Sequence, residues 1–395
     1  MSSLMITEVT VFTGTGDVLT NGRVRVDGGR ITEVGSSLPI PGDAMVLRGQ
    51  GQFLMAGFID AHSHLGLVTV PERPELHPDA PFMAVQNAAM KLASGVTTVR
   101  DVGGLLHVDL ALNRAIRRGL VPGPRMICSG QVVCPTGGHI HYFGREADGP
   151  DEVRKAVREQ FRAGAHFAKI MISGGIANVG EDPDKLHMHE DEVRAAVAVA
   201  KENRTTVAAH IYPARGIRMA AECGVTSIEH AIWLEDAVLD VLVQHGVWVV
   251  PTQCVYQWMA ENRGHWCAEE KASAAARVLE VKTPRLRNAI KAGVRIGAGT
   301  DCGRHFPPSD FATELVLLSR AGLTPEQVLM VATRENAELL GLSDKIGTVE
   351  PGKVADLVLL GGNPLENLEN TRDVRTIIQG GQVIDPKALL KKGRV

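Results

Sequence analysis

Residues 57–66 read GFIDAHSHLG, and this stretch decides how the rest of the chain is parsed. Phe58, Ile59 and Ala61 form a short apolar run, the pattern of a buried β-strand. His62 and His64 stand two apart near its end. Side chains two apart on a strand face the same side. Two imidazoles on one face, at the C-terminal end of a strand, make a natural clamp for a metal ion. Taken alone, the pair is equally compatible with ordinary polar residues at a strand end.

Outward from this motif, from Gly57 to about Leu342, short β-branched runs alternate with helical stretches. The runs are GFIDAHSH, GVTTVRDVGG, PRMICSG, HFAKIMISGG, TTVAAH, VTSIEHA, VWVVPT and VRIGAGTD. Segments such as DEVRAAVAVAKEN and ARGIRMAAECG between them carry helical periodicity. Eight strand–helix units predict a (β/α)8 TIM-like barrel rather than an open doubly wound sheet, because polar residues gather at the strand ends. Residues 4–50 read as short strands broken at Gly or Asn, and KVADLVLLGGNP and VRTIIQGGQVI add two more. Joined, the two ends predict a small β-sandwich from residues 1–56 plus 347–395, beside a barrel over 57–346. The proline-rich segment Val68–Pro81 reads as a long loop over the barrel's active face.

Composition narrows the function. The chain has 395 residues, long enough for a barrel of ~250 plus a smaller unit. Its net charge of −3 gives no electrostatic reason to bind nucleic acid or an anionic membrane, so a small-molecule substrate is expected. No apolar run approaches the ~20 residues of a membrane span. The N-terminus reads as a strand rather than a signal peptide, which predicts a cytoplasmic, reducing setting. The six cysteines are scattered with no CxxC pair, against a disulfide framework or an all-cysteine metal site. A homo-oligomer is expected.

Strand ends carry the chemistry. Lys169 lies in the apolar run FAKIMISGG, and lysine is seldom buried without a partner. It either snorkels to the barrel mouth or is a desolvated amine with a lowered pKa. His210 ends TTVAAH, His230 ends SIEH and Asp301 ends IGAGTD. Each alone reads as a polar strand end. Together with His62 and His64 they converge on one mouth, with nitrogen and oxygen ligands that suit Zn2+ or a similar ion.

On these residues the chain resembles the amidohydrolase superfamily over nearly its whole length. The resemblance implies that His62, His64 and Asp301 hold one divalent ion and His210 and His230 a second, with N6-carboxylated Lys169 bridging them. It implies hydrolysis of an amide-type C–N bond by a water between the two ions, with Asp301 as general base. The phrases GVTTVRDVGG, GPRMICSG, TGGH, KIMISGG, AHIY and SIEHAIWL are similar to the Xaa-Pro dipeptidase branch, near imidazolonepropionase. In that branch the counterpart of His139 meets the substrate carbonyl, and that of Tyr212 lies near the substrate. A dipeptide or N-acyl amino acid is the expected substrate.

The chain departs from the branch in IHYFGRE after His139 and in CGRHFPPSD after Asp301. Arg304 there is either a fork for a substrate carboxylate or a solvated side chain. The loop TQCVYQWMAENRGHW after the seventh strand offers Tyr256, Trp258 and Met259 as an apolar wall or as a helix packing face. These differences leave a bulkier aryl amide or carbamate open. A mononuclear cyclic-amide hydrolase or deaminase is a further alternative, although Ile211, Tyr212 and Pro213 follow His210 where such deaminases have a Glu. A non-catalytic homologue is disfavoured because all six ligand positions are intact.

Overall fold

The computed structural model describes residues 3–67, 79–176, 181–262, 264, 268–303 and 310–391. Five strands precede the GFIDAHSH motif: β1 (Leu4–Phe12), β2 (Val18–Asp27), β3 (Arg30–Gly35), β4 (Met45–Arg48) and β5 (Phe53–Ala56). The motif itself is β6 (Phe58–Ser63), followed by β7 (Val96–Asp101), β8 (Arg125–Cys128), and the short β9 (Val133–Cys134) and β10 (Arg145–Glu146). Next come β11 (Ala168–Met171), β12 (Val207–Ile211), β13 (Ser227–His230), β14 (Trp248–Val250) and β15 (Arg295–Ile296). The chain closes with β16 (Leu357–Leu360), β17 (Val374–Gln379) and β18 (Gln382–Ile384).

Both ends of the chain share one eight-stranded sheet, ordered β18-β17-β16-β5-β1-β2-β3 with β4 paired to β1. Its apolar side buries Leu4, Ile6, Val24, Ile31, Leu54 and Leu357 as a core of its own. β5 is the seam, parallel to β1 and antiparallel to β16.

The middle of the chain is an α/β structure of parallel strands. One sheet runs β6-β7-β8 and the other β10-β9-β11-β12-β13-β14-β15. Every residue of β6, β11, β12 and β13 is buried, as expected for parallel strands covered on both faces. The helices between them follow their sequence signals. In Gly149–Ala163 the buried Val153, Ala156, Val157 and Gln160 recur at helical spacing, acids occupy the first turn and Gly164 ends the helix at φ 106°.

β15 is short, but the segment after it continues beside β6. Ala61 N donates to Ala298 O (2.9 Å), Thr300 N to His62 O (3.0 Å) and His64 N to Cys302 O (2.7 Å). Gly299 allows this approach, since a Cβ there would lie 2.6 Å from the Cβ of His62. Between the two sheets, His166 N donates to Cys128 O at 2.8 Å.

One expectation is corrected. The segment after β14 is not a loop: Gln253–Glu261 is a helix. Cys254 and Tyr256 are buried in it, and Val255 and Met259 pack against a cluster that contains Tyr256. Residues 68–78, most of the expected proline-rich loop, lie outside the described residues.

Candidate metal centre

Five imidazoles form a continuous arc at one end of the parallel strands. Ring centroids are 5.4 Å apart for His64 and His62, 5.0 Å for His62 and His230, and 4.7 Å for His230 and His210. His139 then stacks on His210 at 4.2 Å. All five are buried. They come from β6 and the residue after it, from β12 and β13, and from the turn after β9, so parallel alignment of the strand ends brings them together.

Asp301 caps one end of the arc. Its Oδ1 lies 3.4 Å from His62 Nε2 and 3.3 Å from His64 Nε2. One donor atom from each of these three residues falls within 4.8 Å of the others, the geometry of a cation site. Its side chain is 23% exposed, so the carboxylate also reaches solvent. Asp301 (φ 54°) and His230 (φ 71°) both adopt left-handed backbone, which is strained for residues other than glycine. The turn is held because Asp301 N donates to His62 O at 2.8 Å.

Hydrogen bonds select the nitrogen each ring presents. His62 Nδ1 lies 2.6 Å from Glu229, His64 Nδ1 2.9 Å from Gly103 O and His230 Nδ1 2.8 Å from Thr252 Oγ1. These three therefore present Nε2. His210 is reversed: its Nε2 donates to Gly174 O at 3.1 Å, so Nδ1 is the nitrogen it has left.

Electrostatics favour neutral imidazoles at His210 and His230. Burial holds His210 well below the usual histidine range, and His139 and Lys169 beside it add to that. Burial, then His210, do the same to His230. Burial would raise the Asp301 carboxyl, but its contacts with His62 and His64 outweigh burial and hold it well below the carboxylate range. Lys169 is the second residue of β11, 1% exposed, deeper than a strand-end reading implies. Burial lowers its ammonium to about 8, so a free amine is accessible near neutral pH. Its Nζ has no hydrogen-bond partner among the described residues, and neither has His62 Nε2.

The remaining expected residues divide. Tyr212 lies 4.8 Å from the His210 ring and Tyr256 6.4 Å from that of His230. Their hydroxyls bond each other at 3.0 Å, and both side chains are buried. Arg304 lies outside the described residues.

Three partners were not apparent in the sequence. Glu181 Oε2 sits 2.8 Å from His139 Nδ1. Glu229 lies behind His62, as above. Asp60 receives Lys91 Nζ and Thr300 Oγ1, each at 2.6 Å, and His62 N at 3.1 Å, which ties the HxH strand to the turn before Asp301. The Asp of FIDAHSH and the Glu of SIEH were visible as residues. Their partners are 31 and 167 positions away, beyond any local pattern.

A buried arc of imidazoles closed by a carboxylate, at the ends of parallel strands in an α/β fold, offers the donors of a metal-binding site. The chain belongs to the amidohydrolase family, whose description matches residues 53–384. It is therefore a hydrolase acting on carbon–nitrogen bonds, in a family that generally binds divalent metal. Ochratoxinase of Aspergillus niger is 27% identical over 94% of this chain and 84% of its own. A Xaa-Pro dipeptidase with bound methionine in the active site superposes with a TM-score of 0.91 at 28% identity, covering 97% of this chain and 100% of that one. A prolidase complexed with N-methylphosphonate-L-proline gives 0.90 at 30% identity, with 97% and 99% covered. No helix among the described residues is long and apolar enough to cross a membrane.

Proposed function

We propose that this chain hydrolyses the amide bond of a small peptide-like substrate, a dipeptide or an N-acyl amino acid, with two divalent ions as resident cofactors. The observation that carries the reading is the convergence of His62, His64 and Asp301 at one end of the imidazole arc. The donor set fits the cofactor. Neutral imidazole and carboxylate suit Zn2+. His62 Nε2 and Lys169 Nζ, which lack a hydrogen-bond partner among the described residues, are buried polar atoms that cost free energy unless something meets them.

In this reading His62, His64 and Asp301 would hold one ion, His210 and His230 would hold the other, and N6-carboxylated Lys169 would supply oxygen ligands to them. When bound, the ions acidify a water and polarise a carbonyl. Asp301 accepts the proton of the attacking water and delivers it to the leaving nitrogen, which its partial exposure to the mouth permits. His139 meets the substrate carbonyl. Its Nδ1 pairs with Glu181, and the other nitrogen serves the oxygen on which charge develops. Tyr212 and Tyr256 form a rigid side wall, and Arg304 is the partner for a substrate carboxylate. We read the parallel strands as a closed (β/α)8 barrel over 57–346, with residues 1–56 plus 347–395 as the second domain. The hydrogen bonds between β6 and residues 298–302 support this.

A second reading, an aryl amide or carbamate substrate, is favoured by the aromatic side chains near His210 and His230 and by the ochratoxinase relative. Tyr212 stands 6.0 Å from Trp233 as well as beside His210. One screen separates the two. Metal-loaded protein is assayed against dipeptides, N-acyl amino acids and aryl amides, with metal counted per chain. Dipeptide or N-acyl turnover with about two ions per chain supports the first reading. Turnover of aryl amides alone supports the second, and full activity with about one ion rejects the binuclear site.

A further inference from the structure

Beneath the arc lies a buried ion pair that the proposed chemistry does not use. Arg100 on β7 is 3% exposed and Glu229 on β13 is fully buried. Arg100 directs every guanidinium nitrogen to a partner. One Nη donates to Glu229 Oε1 at 2.8 Å, the other to Ser227 Oγ at 2.8 Å, and Nε to Ala61 O at 2.5 Å. Ser227 Oγ donates in turn to Glu229 Oε1 at 2.6 Å. Three strands, β6, β7 and β13, are joined through these two side chains.

A buried pair is a weak source of stability, because desolvation offsets the attraction and apolar residues of similar volume often serve as well. The fold alone therefore does not call for charges here. Glu229 spends only Oε1 on Arg100 and Ser227. Its Oε2 faces His62 Nδ1 at 2.6 Å. A carboxylate there can only accept, so Nδ1 donates to it and Nε2 is the nitrogen left for the site. That Nε2 is the buried atom without a partner among the described residues, 3.4 Å from Asp301 Oδ1.

We propose that Glu229, held by Arg100 and Ser227, is a positioning residue that sets the affinity of the His62–His64–Asp301 site for its cation by fixing the tautomer and ring plane of His62. Arg100 and Glu229 are both buried. The inference rests on the metal-dependent reading above.

The test uses chelator-stripped full-length protein titrated with Zn2+ alone. Wild type, Glu229→Gln and Ser227→Ala are compared, with the unfolding temperature of each metal-free protein and the visible spectrum of each Co2+-loaded protein. Glu229→Gln keeps the shape but not the obligatory acceptor. It is expected to weaken Zn2+ binding by roughly 10–100-fold, the usual loss when a ligand histidine's hydrogen-bond partner is changed. Its Co2+ spectrum should change as well, which a purely structural role would not produce. Ser227→Ala loosens Glu229 without removing it and should weaken binding by a smaller factor. Wild type that binds Zn2+ beside a Glu229→Gln protein of equal affinity and unchanged spectrum overturns the proposal alone. Wild type that binds no Zn2+ overturns the metal reading beneath it. If Glu229→Gln does not fold, Ser227→Ala decides, and unchanged affinity there overturns the proposal.

Discussion

His139 Nδ1 and Glu181 Oε2 lie 2.8 Å apart, joining the turn after β9 to the segment that follows β11. The contact directs the other nitrogen of His139 away from Glu181. It depends on Gly175, where a Cβ would fall 2.3 Å from the His139 ring. Replacing Glu181 with Gln should lower kcat by roughly 10-fold while metal content stays the same. His139→Ala should cost more, roughly 10²–10³, the loss typical of an oxyanion donor. Steady-state kinetics with metal analysis checks the order. A Glu181→Gln enzyme as active as wild type would show that His139 needs no such support.

Asp301 combines two roles, and Asp301→Asn separates them. The amide oxygen still reaches the cation site, but an amide is no base at neutral pH. If Asp301 carries the proton, kcat falls by at least ~10² with the metal largely retained. Near-normal turnover in that variant would mean the proton travels by another group.

Lys169 offers a test by chemical rescue. Lys169→Ala should abolish activity and lower metal content per chain. Short carboxylic acids in the buffer should restore part of the activity, because they return the missing oxygens. Full activity without Lys169 would reject a carboxylated bridge.

His166 should tune stability with pH, away from the candidate site. Its Nδ1 accepts from Cys128 N at 3.0 Å, which requires a bare nitrogen. Burial lowers its pKa from 6.5, and Arg117 adds to the effect. Below pH 6.5 the unfolded chain therefore takes up a proton that the folded chain resists, so the contribution is present above that pH and lost as pH falls. His166→Asn keeps an acceptor that does not titrate. Denaturant titrations from pH 5 to 8 should show a shallower acid decline for the variant than for wild type, and identical slopes would count against this assignment.

The strands and their order were legible in the sequence because buried parallel strands are continuous apolar runs, and GFIDAHSH, TTVAAH and SIEH show this directly. The candidate ligands were legible for the same reason, since each is a polar residue interrupting or ending such a run. The helix Gln253–Glu261 was not, because its aromatic residues suit a loop wall and a helix face alike. The partners were hidden for a different reason. Glu229 meets His62 across 167 positions and Arg100 across 129, and Glu181 meets His139 across 42. The sequence by itself thus determined which residues stand at the strand ends, since side-chain period and apolar runs are local properties. Only the tertiary structure decided which nitrogen each imidazole presents, because that depends on a partner delivered by a distant part of the chain.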